Sequence, residues 1–165
     1  MTEPGGNLST SELTFIEDTS FAADSPLAYD SDDGTSIEDL NITAESLVRL
    51  SYRGTMTGST SSETGAGADR IRFIDVLFQG GSQFPSSHAI NTRGGADTVS
   101  LESSFVGGAM IVNLGISNDT MENLFATLVA DSELNGEIGR DFLEEPTGSY
   151  ATRNFEQIGI APTVS

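Results

Sequence analysis

Two stretches decide the fold that the sequence predicts: GAGADRIRFIDVLFQGG at residues 65–81 and RGGADTVSLESSFVGG at residues 93–108. Each runs from glycines through Ala-Asp into alternating residues, and then reaches a further pair of glycines. Glycine permits the tight backbone of a turn, and the alternation that follows is typical of a β-strand. We therefore predict two strands that are entered through similar turns.

A calcium-binding repeat is the alternative interpretation of these stretches. Residues 65–71 fit most of the glycine-rich nonapeptide whose aspartates and carbonyls bind calcium, which makes Asp69 and Asp97 candidate ligands. That repeat works by stacking many copies, and only two partial copies occur here. Asp30 and Asp32 form a second candidate cluster, which falls short of an EF-hand loop. We favour plain strands and expect no cofactor, with calcium as the alternative.

The charge of the chain limits its partners. Its 165 residues suit one domain, and they include 25 acidic side chains against 7 basic ones, all arginine, for a net charge of −18. An acidic surface repels phosphate, so we expect no sequence-specific nucleic-acid binding. Acidic residues spread along a lysine-free chain are typical of salt-loving organisms, because molar salt screens their repulsion. There is no cysteine, no apolar run long enough for a membrane helix and no signal peptide, so we expect synthesis in the cytoplasm.

Residues 70–78 are the strongest predicted strand. Ile71 and Phe73 point to one face, and the apolar residues from Ile74 onward point to the other. A strand with two apolar faces is either central in a sandwich or covered by another subunit. We predict that the subunit contacts are made by this strand and its surroundings, namely Arg70, Arg72, Phe73, Ile74, Val76, Phe78 and Phe84, with the two arginines pairing with acids across the interface.

The remaining elements complete a mostly β prediction. Residues 99–105 and 109–116 read as two strands joined in hairpin style at Gly107 and Gly108. Residues 119–131 are predicted to form one amphipathic helix, because apolar residues recur at helical spacing after a capping-box-like start. We expect a single domain, residues 1–165, with a β-sandwich or β-barrel-like core. Extended arms are predicted at residues 1–10 and 143–165.

No catalytic constellation stands out in the sequence. His88 is the only histidine, it lies in a predicted loop, and no G-x-S-x-G nucleophile motif accompanies it. Carboxylate pairs exist in any acidic chain and indicate no specific site. We therefore predict a protein that is not an enzyme, with no catalytic residues.

Three segments resemble capsid decoration proteins of lambda-type tailed viruses. They are LAYDSDDG (27–34), SLVRLSYRGTM (46–56) and RIRFIDVLF (70–78), whose order of strand, Asp-Gly turn, strand ending in Gly-Thr and aromatic strand ending in Asp-Val-Leu-Phe is similar to that family. A second resemblance is to tail-tube proteins, on the strand–loop–strand unit 46–79 and the helix 119–131. These resemblances imply a virion structural protein that assembles by contacts between subunits.

Together these observations predict a non-enzymatic virion protein of a halophilic archaeal host. Its expected partners are further copies of itself, as a homo-oligomer, and other virion proteins such as a major capsid protein, with no membrane partner. Capsid decoration is favoured over a tail tube, and assembly is expected in the host cytoplasm. The alternative is a calcium-dependent extracellular adhesion or surface-layer module.

Overall fold

The computed structural model describes residues 7–10, 15–16, 19–23, 27–31, 35–37, 40–44, 48–79, 87–128, 131–144 and 150–159. Within these ranges every regular element is a short β-strand. Alternation of buried and exposed residues runs through the strands, as in residues 40–44 and 48–52, where every second side chain is buried. One face of each such strand therefore contributes to a shared interior.

The strands follow one another at short intervals along the chain. The first nine are β1 (Asn7–Thr10), β2 (Phe15–Ile16), β3 (Thr19–Ala23), β4 (Leu27–Ser31), β5 (Thr35–Ile37), β6 (Leu40–Ala44), β7 (Val48–Tyr52), β8 (Gly54–Met56) and β9 (Thr60–Glu63). The next six are β10 (Arg70–Ile74), β11 (Leu77–Phe78), β12 (Ser87–Asn91), β13 (Thr98–Glu102), β14 (Phe105–Val106) and β15 (Ala109–Asn113). The last five are β16 (Thr120–Leu124), β17 (Glu133–Asn135), β18 (Phe142–Glu144), β19 (Ala151–Arg153) and β20 (Gln157–Gly159).

These strands form three parallel sheets around one interior. Sheet A has the order β1-β4-β7-β10-β13-β16-β18-β20, sheet B the order β14-β11-β8-β5-β2, and sheet C the order β19-β17-β15-β12-β9-β6-β3. Strands β1 to β15 visit sheets A, B and C in strict rotation, so the chain winds as a coil whose successive turns pair in parallel. This is the architecture of a parallel β-helix.

The structure confirms that the chain is mostly β, and it also explains why residues 65–81 and 93–108 are similar in sequence. Residues 70–74 pair in parallel with residues 98–102, with Arg70 beside Thr98, so the two similar stretches are neighbouring turns of the coil. The prediction of two strands entered through similar turns is confirmed. The predicted sandwich or barrel-like core is not confirmed, because the described strands lie in three parallel sheets.

Two local predictions are wrong. Residues 120–124 are strand β16, where Met121 and Asn123 are buried and their neighbours are not, instead of the start of a helix. Pairing with β13 and β18 satisfies the backbone of this segment, which overrides the helical spacing of its apolar residues. The hairpin at Gly107 and Gly108 is also absent, since β13 belongs to sheet A and β15 to sheet C. The glycines lie at a corner of the coil.

The predicted terminal arms contribute strands to the coil. Residues 7–10 pair with β4, which places part of the predicted N-terminal arm in sheet A. Within the predicted arm 143–165, β19 pairs with β17 and β20 pairs with β18. These parts of the predicted arms are therefore paired strands of the coil, because the parallel partner strands bind their backbone groups.

The interior is a continuous apolar column, and it contains most of the residues that were predicted to form the interface. Phe73 and Phe78 are fully buried, with Val76 2% and Ile74 8% exposed. Asp75 has φ 53°, and this bend turns residues 76–78 into sheet B so that both apolar faces point inward. These four side chains are buried in the core of their own chain, and the subunit contacts predicted for them stay a prediction.

Glycine is required at the corner that leads into β13. Gly95 has φ +119°, and a Cβ added there would lie 1.6 Å from the carbonyl oxygen of Gly67 on the preceding turn. A Cβ on the adjacent Gly94 would meet nothing closer than the Ile116 carbonyl oxygen at 3.9 Å. The two neighbouring glycines therefore differ sharply in their tolerance of a side chain.

We expect the Gly95→Ala substitution to lower the free energy of unfolding by about 2 kcal/mol or more, because backbone must move to admit the methyl group. Gly94→Ala is the matched control, with an expected change below about 1 kcal/mol. Urea unfolding followed by circular dichroism measures both variants. Equal losses in the two variants would contradict the close approach of the turns.

Candidate functional site: a buried aspartate ladder and two outer faces

Four aspartates stack at the corner that precedes the strands of sheet A. The backbone N–H of Asp69 donates to Asp97 Oδ1 (2.8 Å), that of Asp97 to Asp119 Oδ1 (2.8 Å), and that of Asp119 to Asp141 Oδ1 (2.9 Å). The ladder continues at both ends, where the N–H of Val48 donates to Asp69 Oδ1 and that of Asp141 to Glu156 Oε2. Each carboxylate thus satisfies a backbone donor of the turn before it.

The second oxygen of each ladder aspartate has no hydrogen-bond partner. All four Oδ2 atoms are buried, and the four side chains are at most 2% exposed. Burial raises the pKa of Asp97 and of Asp119 to about 6 each, and the neighbouring carboxylates add to the shift, although the accepted backbone hydrogen bonds oppose it. Burial also raises the pKa of Asp141. The two central carboxyl groups therefore stay protonated to a higher pH than an ordinary aspartate does.

The candidate calcium ligands are divided by the structure. Asp69 and Asp97 are brought together as neighbours in the ladder, with their Oδ1 atoms engaged by backbone N–H groups. Asp30 lies in β4, and Asp32 lies outside the described residues. Among the residues that the structure describes, no three acidic or histidine side chains are grouped so that they could hold a metal ion. Calcium binding stays a prediction.

His88 lies in strand β12, so its predicted loop position is wrong. Its ring is 1% exposed and stands edge-on to Phe78, with 4.8 Å between the ring centroids. Nδ1 lies 3.3 Å from Thr60 Oγ1, and Nε2 is buried without a partner. Burial lowers the pKa of His88 to about 4. The imidazole is therefore a neutral core side chain at neutral pH.

A second ladder of side chains follows sheet C at its exit. Asn113 Nδ2 donates to Asn91 Oδ1 (2.8 Å), Asn135 Nδ2 donates to Asn113 Oδ1 (3.3 Å), and Asn154 Nδ2 donates to Asn135 Oδ1 (2.9 Å). Identical side chains at one position of successive turns can pair this way only if the turns are in register. The asparagines therefore fix the register of the turns, together with the aspartates.

The predicted interface residues that stay on the surface are two arginines. Arg70 is exposed, and Arg72 binds Glu102 on the same chain, with Nη2 2.6 Å and Nε 3.0 Å from Oε1. The pairing of Arg72 with an acid is therefore intramolecular. Phe84 lies outside the described residues.

One exposed apolar surface was missed by the sequence analysis, and we call it the sheet B strip: Leu77, Phe105 and Phe125. Their exposed fractions are 42%, 50% and 76%. Leu77 and Phe105 are direct neighbours in the register of β11 and β14, and Phe105 bridges Thr127, two residues after Phe125. The three side chains thus occupy three successive turns. In the sequence they looked like members of a buried strand and of an amphipathic helix.

The backbone at Phe125 supports a special role for the sheet B strip. Asp75, Ser103 and Phe125 stack at the corner between sheets A and B, linked by N–H groups that donate to Glu102 and Leu124 carbonyls. All three have positive φ, with 62° at Phe125. Aspartate tolerates this conformation, whereas a bulky aromatic residue rarely adopts it. A strained and exposed phenylalanine is a candidate functional residue.

The pKa of Asp119 leads to a prediction about pH. A pKa raised in the folded state gives stability that is fully present below the unfolded value near 3.8 and is lost as the pH rises through about 6. We expect Asp119→Asn, whose amide oxygen still accepts the N–H of Asp97, to gain stability relative to the wild type between pH 4 and 7. The gain should be on the order of 2 kcal/mol at pH 7.

Urea unfolding at a series of pH values measures this gain. The control is Asp131→Asn, because Asp131 is exposed and lies outside the ladder. Parallel stability curves for Asp119→Asn and the wild type would show that the ladder does not take up protons on folding.

The single histidine gives a prediction that one nuclear magnetic resonance titration checks. Because burial holds the pKa of His88 near 4, we expect its ring resonances to stay at their neutral positions from pH 8 down to about 5. In unfolded protein the same ring should titrate near pH 6.5. A folded-state midpoint above 6 would show that the ring reaches solvent.

No protein-family model matches the chain, and comparison with curated protein sequences and with solved structures finds no significant similarity. Within the described part of the chain, no helix is long and apolar enough to cross a membrane. The candidate function is therefore argued from the geometry of the coil and from its surfaces.

Proposed function

We propose that this chain is a non-enzymatic structural protein that acts by associating with further copies of itself. The observation that carries the proposal is the sheet B strip, where three large apolar side chains stand in solvent on successive turns. Contiguous exposed apolar surface in a soluble protein marks an interaction site. A symmetric assembly would cover the strip with the same strip or a neighbouring face of another copy.

The free energy gained by burying the sheet B strip is too small to hold two copies together without a further contact. Fully burying a leucine or phenylalanine side chain contributes about 1.5–3 kcal/mol, and these side chains already lose part of their exposure within the chain. Association costs about 4–15 kcal/mol in lost translational and rotational freedom. Stable assembly through the strip therefore requires a twofold repeat of the contact or a second contacting face.

The setting that we propose is a virion, with capsid decoration ahead of a tail tube and a major capsid protein as the further partner. Its support is the sequence resemblance and the acidic, lysine-free composition that suits a halophilic host. Within the units that resembled tail-tube proteins, residues 46–79 and 119–131, the described strands are β7 to β11 and β16, which pair in parallel in the coil. The segments of the decoration resemblance contain parallel strands of the same coil, so decoration stays ahead on the sequence resemblance alone.

An extracellular adhesion or surface-layer module is the second candidate function. The coil favours it, because stacked turns extend a chain along one axis by about 4.8 Å per turn and so form a rod. Thermal unfolding with and without a calcium chelator separates the two functions. A melting temperature that falls by many degrees on chelation would support the calcium-dependent module and contradict the first proposal.

The sheet B strip gives a direct test of self-association. We expect the wild-type chain to be oligomeric by light scattering at molar salt, and the double variant Phe105→Ser, Phe125→Ser to shift to single chains, since the apolar contact is lost. Ile111→Ser is the matched control, because Ile111 is 44% exposed and lies on sheet C between Ala89 and Glu133. A wild type that is monomeric at every salt concentration would overturn the proposed function.

A further inference from the structure

The outer face of sheet A carries its charges in an ordered arrangement. In the sheet register, Arg49 of β7 lies beside Arg70 of β10, and Glu122 of β16 lies beside Glu144 of β18. Strand β13 lies midway between the two pairs, with β10 and β7 on one side of it and β16 and β18 on the other. Arginines therefore occupy one half of the face and glutamates the other half.

Each of these pairs places like charges on neighbouring strands. Adjacent strands lie about 4.8 Å apart, and like charges directly opposite each other destabilise a sheet. Both arginines are exposed and both glutamates are partly exposed. The ion pairs that the structure shows between described side chains are those of Arg53, Arg72, Arg93 and Arg153, and none of these pairs includes any of the four residues.

The geometry points to a second copy of this chain as the occupant of the sheet A face, docked face to face across a twofold axis. We propose that the axis runs parallel to the strands and passes over β13. This rotation puts β7 over β18 and β10 over β16 of the other copy. The arginine pair of each copy then lies two residues along the strands, about 6.6 Å, from the glutamate pair of its partner, so long arginine side chains can reach the carboxylates and relieve both like-charge repulsions.

The details of the face fit this arrangement. On the central strand the exposed end carries the small Thr98, whereas further along it Ser100 is covered and Glu102 is bound by Arg72 of the same chain, so two faces can approach most closely at the Thr98 end. Arg49 lies at the same height along the strands as the partly exposed Phe142, because both belong to one register row. In the docked pair the Arg49 guanidinium therefore faces the phenyl ring of the partner's Phe142, which is a favourable cation–π arrangement. Glu144 lies one pleat further along, within the reach of the same arginine.

Other placements of a second copy fail this charge test. A twofold axis along the coil would put β7 over β7 and oppose the arginine pairs to each other. An anionic polymer on the arginine pair would leave the glutamate pair unrelieved, and it would meet a chain of net charge −18. Self-association therefore explains both halves of the face with a single contact.

Charge reversal tests this docking, which rests on the proposed function. The variants are Arg49→Glu, Glu144→Arg and the two combined, measured by light scattering and sedimentation at the lowest salt concentration at which the wild type assembles. Each single variant should weaken assembly at least about tenfold in Kd, because it opposes like charges across the axis twice. The double variant should restore assembly to within about threefold, because its charges are complementary again.

The control for charge alone is Arg140→Glu, an exposed arginine outside the sheets that makes the same change in net charge. It should leave assembly within about threefold of the wild type. The sheet A docking would be overturned if the single variants assembled with the Kd of the wild type, or if the double variant assembled as weakly as the single variants. Either result would leave the proposed function standing. A monomeric wild type would overturn both.

A cross-linking measurement is independent of charge. The chain has no cysteine, so Thr98→Cys adds one thiol beside the proposed axis, and a short bis-maleimide should join two copies rapidly. Ser61→Cys, exposed on sheet C, is the control and should remain uncross-linked. Equal cross-linking of both variants would contradict docking through sheet A.

Discussion

The hydrogen bonds from the backbone N–H groups of one turn to the aspartate carboxylates of the next are the interaction on which this coil depends. At the corner before sheet A, the backbone hydrogen bonds between neighbouring strands have not yet begun. The N–H groups of Asp69, Asp97 and Asp119 would therefore be buried there without a partner. The aspartate of the following turn fills that gap with one oxygen. Its other oxygen is buried without a partner, and this burial raises the pKa of Asp97 and of Asp119 to about 6.

The corners around this ladder leave little freedom to the residues beside it. Gly95 and Gly139 lie so close to the preceding turn that an added Cβ would overlap a backbone carbonyl oxygen. The oxygen is that of Gly67 for Gly95 and that of Ser117 for Gly139. The close approach brings each aspartate carboxylate within hydrogen-bonding distance of the backbone N–H that the preceding turn donates. Glycine and aspartate therefore occur together at these corners. Glycine lets the turns stack closely, and aspartate accepts the hydrogen bond of a backbone N–H that would otherwise be buried without a partner.

A coil that satisfies its interior in this way has its outer faces available for contacts. Sheet B uses its outer face for an apolar strip, and sheet A for two pairs of like charges. Neither arrangement stabilises an isolated chain, since the first exposes apolar area and the second adds repulsion. Both become favourable when another copy covers them. The two faces lie on different sides of the coil, so they can act together in one assembly.

The sequence by itself determined that the chain is β-rich, that strands begin near residues 70 and 99 after similar turns, and that arginine is the only base among the charged side chains. Alternation and glycine turns are local signals, which is why these predictions are confirmed. Tertiary structure alone decided that residues 120–124 form a strand, that Phe73 and Phe78 face the core of their own chain, and that Asp119 and Asp141 extend the ladder. A recurrence of Asp before strands at about 22 residues was the available signal for the ladder. Which faces meet depends on pairing between turns, because bends such as Asp75 redirect side chains in ways that no local periodicity encodes.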